Sequence, residues 1–142
     1  MRALLAPACL ALALGACGQI EGTGNNNMAS LTEQPAVETL AEPELAELLA
    51  AGDVVLIDVR TPEEFAEGRL PGSLNAPVET FDATSIPVED DRETILYCRS
   101  GNRSARAAEM LSQETGGTVR HLEGGIVAWE EAGREIVTSP GA

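Results

Sequence analysis

Two apolar runs constrain the fold more than anything else in this chain: Val54-Val55-Leu56-Ile57-Asp58 and Glu93-Thr94-Ile95-Leu96-Tyr97. A strand that is apolar at consecutive positions has both faces covered, as in the middle of a parallel sheet flanked by helices. Helix signals surround the runs. Pro43 opens a segment with Leu45, Leu48 and Leu49 on one stripe, and Gly52 ends it. Thr61-Pro62-Glu63-Glu64 carries a cap, a proline at the first helical position and a glutamate three residues after the cap, which together form a capping box. That helix is expected to turn Phe65 to the core and to stop at Gly68. Residues 104–114 and 126–132 read as two more helices, and 37–40 and 118–122 as two more strands. Leu74-Asn75-Ala76-Pro77 reads as a short edge strand, and 78–91 as loops around at most one short helix. Strands and helices alternate with no internal repeat, so the expectation is one small α/β domain with a central, mostly parallel sheet and helices on both faces.

The strand at 93–97 leads straight into Cys98-Arg99-Ser100-Gly101-Asn102-Arg103-Ser104. A cysteine at the carboxyl end of a central strand, in a turn leading to a helix, stands where open α/β sheets bind ligands. Successive amides from Arg99 to Ser104 can surround one anion, and the helix dipole favours the same charge. Gly101 permits the tight backbone turn. Arg99, Arg103 and Arg106 form the basic cluster of a chain whose net charge is -14, nine Lys+Arg against 23 Asp+Glu. Such a field is expected to lower the thiol pKa and make Cys98 a nucleophile. The overall charge repels nucleic acid, so no nucleic-acid partner is expected. His121 has no His or Cys neighbour in sequence, and neither a metal nor an organic cofactor is expected.

Residues 1–16 have a charged start and an apolar stretch too short to span a bilayer permanently, which is the pattern of a secretory leader. Leu14-Gly15-Ala16-Cys17 resembles the lipobox of bacterial lipoproteins, implying cleavage before Cys17 and a lipid on that residue. Ordinary cleavage after Gly15 is the alternative, and translation from Met28 would give a cytoplasmic protein without a leader. Residues 17–36, with Asn25-Asn26-Asn27 and few bulky apolar side chains, read as a flexible tether, 37–138 as the folded domain and 139–142 as a tail. The expected location is the cell envelope, lipid-anchored, on the periplasmic side of the outer membrane in a Gram-negative cell. Cys9 leaves with the leader and Cys17 is consumed by lipid, so Cys98 remains as a lone thiol without an internal disulfide partner.

From 56 to 137 the chain resembles a single-domain rhodanese. The phrases that carry the likeness are Leu56-Ile57-Asp58-Val59-Arg60 with Glu64-Phe65, then Gly68-Arg69-Leu70-Pro71-Gly72-Ser73 with Asn75, the cysteine loop, and Leu122-Glu123-Gly124-Gly125-Ile126 with Ala128-Trp129 and Ala132-Gly133. Arg69 stands where that family usually has histidine, and as a supporting residue it is expected to alter the pocket wall or a local hydrogen bond. The resemblance implies a sulfurtransferase in which Cys98 takes a sulfane sulfur from a small donor such as thiosulfate and passes it to a thiol or cyanide, with a protein acceptor also open. Arg99, Ser100, Gly101, Asn102, Arg103 and Ser104 are then the donor-binding residues, their amides holding the persulfide and the departing sulfite. Arg103 either orients the loop by pairing with an acid or contacts the anion. Asp58 and Arg60 act as support, Asp58 ordering the loop and Arg60 pairing with Glu64, while Trp129 belongs to the core. Two rivals share the fold: a persulfide carrier or regulatory binding module of the envelope, and a phosphatase or arsenate reductase. The latter enclose five residues between cysteine and arginine, whereas Cys98 and Arg103 enclose four.

Overall fold

The computed structural model describes residues 34–139. The leader, Cys17, Met28 and most of the tether lie outside the described residues, as do the last three residues of the tail. Five strands form one sheet: β1 (Ala36–Leu40), β2 (Val54–Asp58), β3 (Leu74–Asn75), β4 (Glu93–Tyr97) and β5 (Thr118–Leu122). Their order is β1-β5-β4-β2-β3, and every pairing is parallel. Among the described residues three helices connect strands, α1 (Glu42–Ala51), α2 (Pro62–Glu67) and α3 (Asn102–Thr115), and a fourth, α4 (Gly125–Glu131), follows β5. The two apolar runs lie side by side at the centre, Leu56 opposite Ile95 and Ile57 opposite Leu96.

Alternation along these strands sorts the core into two layers. Val55, Ile57, Leu96 and Cys98 pack with Ala107, Ala108 and Leu111 of α3. Leu56, Ile95 and Tyr97 point to the other face, against Leu45 of α1 and Ile126 and Trp129 of α4. Small alanines on α3 let that helix lie close to the strand end that carries the cysteine. Trp129 is buried and its indole N–H donates to Glu135 O at 2.8 Å, so it serves the core.

Several local expectations are corrected. The region 78–91 contains two single turns of 3-10 helix, Val78–Thr80 and Ala83–Ser85, the second capped by the Asp82 carboxylate. Phe65 is only partly buried, because α2 is a two-turn helix on the surface, and the Arg69 guanidinium covers its ring at 4.6 Å. α3 begins at Asn102, two residues earlier than the pattern suggests, since Gly101 at φ +109° already supplies the break that starts it.

Two contacts hold the turn after β4 in place. Glu64, whose carboxylate closes the capping box of α2 with Thr61, also receives both terminal nitrogens of Arg103, at 2.7 and 2.9 Å. The Arg103 hydrogen bonds hold its pKa down to about 2. The start of α4 seats on the turn itself, with Ile126 N–H donating to Cys98 O at 2.8 Å and Val127 N–H to Arg99 O at 3.2 Å. That approach needs Gly125, where a Cβ would fall 2.3 Å from Cys98 O and where φ is +59°.

Gly125→Ala is therefore expected to cost about 2–5 kcal/mol from left-handed strain plus overpacking, read as a fall in the urea midpoint, and an unchanged midpoint would refute the close approach. Glu64 has a depressed folded pKa, so its contribution is complete above its ordinary value of 4.5 and is lost as pH falls through about 2. Glu64→Gln keeps the cap but not the charge; we expect it to cost about 1–2 kcal/mol at neutral pH and to flatten the acid limb of the stability profile.

Candidate functional site

Cys98 is the first residue beyond β4, at the carboxyl edge of the sheet, and it is buried, with 1% of its surface exposed. Burial alone pushes a thiol pKa up. Here that push is outweighed by the Ser104 hydroxyl and the amides of Ser104, Gly101 and Ser100, which favour the ionised sulfur, so the net shift is downward. Gly101 N–H donates to Sγ at 3.0 Å. The turn thus wraps the sulfur with donors from the first residues of α3 and from the loop before it.

The arginines contribute less than their formal charge suggests. Arg103 is spent on Glu64, so it braces α3 against α2. Its field still touches Cys98, which helps keep the guanidinium charged after the stronger effect of Glu64. Arg99 and Ser100 are exposed on the turn, Asn102 is exposed at the first position of α3, and Arg106 is exposed further along it. Gly101 and Ser104 are buried. Backbone amides and one hydroxyl, rather than a field of arginines, lower the thiol pKa.

Asp58 and Arg60 pair with each other. Nε of Arg60 lies 3.0 and 3.1 Å from the two Asp58 oxygens, Nη2 lies 2.7 Å from Oδ2, and Nη2 also donates to Gly68 O at 2.6 Å. The expected Arg60–Glu64 pair is replaced by this buried one, because two residues of spacing after the strand fold the guanidinium back onto Asp58 while Glu64 turns to Arg103. Asp58 accordingly orders the turn after β2, not the cysteine loop, and Asn75 closes that turn by donating to Asp58 O and Arg60 O at 3.0 and 2.9 Å. Arg69 contacts α2 and the C-terminal segment, donating to Phe65 O and to Ser139 Oγ, while its backbone pairs with Val137. It does not line the neighbouring cavity.

That cavity, of about 320 Å³, opens beside the cysteine turn and is bordered by Arg60, Glu64, Gly68, Arg99, Ile126 and Val127 among others. Cys98 does not border it. The sulfur is buried, and Arg99 is the residue of the cysteine turn that lines the cavity. Three participants escaped the sequence reading. Tyr97 accepts from Leu70 N–H and shares a hydrogen bond with Ser73 Oγ, each at 3.1 Å, tying β4 to the turn at 70–73. Glu64 was visible as a cap but not as the partner of Arg103. His121 comes beside Ser104 through the β4–β5 pairing, a juxtaposition that spacing does not reveal. Among the described residues no cluster of metal-ligating side chains occurs.

The chain as a whole is similar to known proteins. The rhodanese-like domain model matches residues 42–132, from the first residue of α1 to just past α4. A sulfurtransferase of Allochromatium vinosum is 42% identical over 89 residues, covering 63% of this chain and 83% of that protein. The human thiosulfate:glutathione sulfurtransferase is 32% identical over 108 residues, covering 66% of this chain and 93% of its own. Among solved structures, a rhodanese-related protein from Thermoplasma volcanium superposes with a TM-score of 0.62 at 32% identity, covering 72% of this chain and 99% of that one. The match of sequence and the shared parallel sheet lead to one conclusion: this chain belongs to the rhodanese-like family.

Proposed function

We propose that the protein is a sulfurtransferase working through a persulfide on Cys98. The observation that carries this reading is a buried thiol whose pKa is held below the ordinary value by amides and a hydroxyl at the end of a central strand. Relatives named as sulfurtransferases, one of them using thiosulfate and glutathione, support it. In the first half-reaction the Cys98 thiolate attacks the outer sulfur of thiosulfate. A bond forms between Sγ and that sulfur, the sulfur–sulfur bond of the donor breaks, and sulfite leaves with the electron pair. The persulfide's terminal sulfur carries the negative charge, and the same amides that favoured the thiolate stabilise it. In the second half-reaction a thiolate or cyanide attacks the terminal sulfur and Cys98 departs as thiolate. Arg99, exposed and lining the cavity, meets the donor's sulfonate charge in this reading. The four residues between Cys98 and Arg103 form a turn closed around one sulfur atom, which favours this reading over phosphate or arsenate chemistry.

We also propose that Cys17 carries a lipid that tethers the domain to the cell envelope, a reading supported by the sequence of residues 1–17. The physiological acceptor is then an envelope thiol, small or on a protein.

Incubation with thiosulfate alone is expected to add one sulfur to the intact mass, and subsequent cyanide to release thiocyanate. Cys98→Ser should abolish both while leaving the circular dichroism spectrum unchanged; turnover retained in that variant would overturn the assignment. Cys17→Ala should move the protein from the membrane fraction to the soluble one, and a wild-type chain recovered soluble, or beginning at Met28, would refute the tether.

A further inference from the structure

Arginine receives a carboxylate and a tetrahedral oxyanion with the same fork of parallel N–H donors. In this domain the fork that follows the cysteine turn is already filled. Arg103, in the first turn of α3, donates from Nη1 to Glu64 Oε2 at 2.7 Å and from Nη2 to Glu64 Oε1 at 2.9 Å. The capping box of α2 fixes that carboxylate, since Oε2 also accepts from Thr61 N–H at 3.2 Å while Glu64 N–H donates to Thr61 Oγ1 at 3.3 Å. Glu64 is thus held by its own helix at the place where it meets Arg103.

The pair is open to solvent. The Arg103 side chain keeps 30% of its surface and that of Glu64 keeps 27%, so an anion from solution can compete for the fork. Glu64 also borders the cavity that Arg99 lines. Of the other groups there, Arg60 is committed to Asp58, and the exposed carboxylates of Glu67 and Glu130 share the wall. Arg99 forms no ion pair among the described residues. An oxyanion arriving beside the turn therefore finds one unpaired cation and two arginines whose forks are taken.

We propose that Glu64 is a specificity-determining residue of the cysteine site: its carboxylate holds the Arg103 fork in place of an oxyanion, so that inorganic phosphate and its analogues are not retained there. This role goes beyond the proposed sulfur transfer and needs no persulfide. An incoming anion must displace a carboxylate that is tethered through α2, and so competes against an intramolecular partner. If it succeeds, it leaves that carboxylate unpaired beside its own charge, which is the repulsive half of a specificity device. The site discriminates by occupation, since the guanidinium is present and intact. In the sulfur-transfer reading the same occupation leaves departing sulfite without the Arg103 fork and favours its release.

The test is a titration of the full chain with inorganic phosphate, in non-ionic detergent at low ionic strength, read from the amide nitrogen-15 shifts of residues 99–104. Glu64→Gln, which keeps the cap and removes the charge, should tighten phosphate binding by about 10-fold or more. Glu64→Gln combined with Arg103→Gln should bind phosphate no tighter than the wild type, because the gain acts through the fork. Glu67→Gln removes a carboxylate from the same cavity wall without freeing an arginine, and should change binding by no more than about 2-fold. Wild-type binding as tight as that of Glu64→Gln, a gain that survives the loss of Arg103, or an equal gain in Glu67→Gln would each overturn the proposal. Glu64→Ala gives the same comparison should the glutamine variant not fold. Sulfur transfer enters none of these readouts, so absent thiocyanate counts against the enzymatic reading and leaves this one to be decided by phosphate alone.

Discussion

A buried thiol whose ionised form is favoured by its surroundings is the constraint to which the rest of this domain answers. Removing ionised sulfur from water is unfavourable, and the cost is offset only if donors are already fixed around it. Side chains long enough to serve would bring their own entropy and charge; backbone amides bring neither. The chain supplies them by turning sharply at Gly101 and starting α3 immediately, so that amides which no helical carbonyl claims face the sulfur. Everything around the turn then works to keep it from relaxing. The start of α4 leans on it through Gly125, α2 holds α3 through Glu64 and Arg103, and the alanines of α3 bring the helix down onto β4.

This division of labour shows how an acidic protein can favour an ionised sulfur at Cys98. The acidic side chains nearest the turn are committed to arginines, Asp58 to Arg60 and Glu64 to Arg103, and these pairs act as braces between elements. Further out, Arg120 of β5 bridges Glu44 of α1 and Glu93 of β4. The local field at the sulfur is set by oriented dipoles, which are little affected by the chain's net charge of -14.

Much of the fold was legible because apolar runs and caps are local signals. The runs at 54–58 and 93–97 named the central strands, and Thr61 with Glu64 named a helix start that the structure reproduces in full. What remained hidden depends on side chains finding partners across the sheet. Glu64 satisfies its cap and reaches Arg103 39 residues away, so a local assignment was correct but incomplete. Arg60 was expected to pair four residues ahead, yet Asp58 is nearer and already buried, and a buried carboxylate takes the closest cation. The early start of α3 was obscured by Asn102 and Arg103 reading as part of a loop motif. His121 carried no signal at all, since its neighbour Ser104 is supplied by another element.

The strand order joins the two ends of the domain: β1, the first strand made, lies beside β5, the last. A ribosome must therefore deliver residue 122 before the first strand has a neighbour, and every shorter piece leaves the flank of β4 uncovered. Closing so long a loop comes late and is rewarded only on completion.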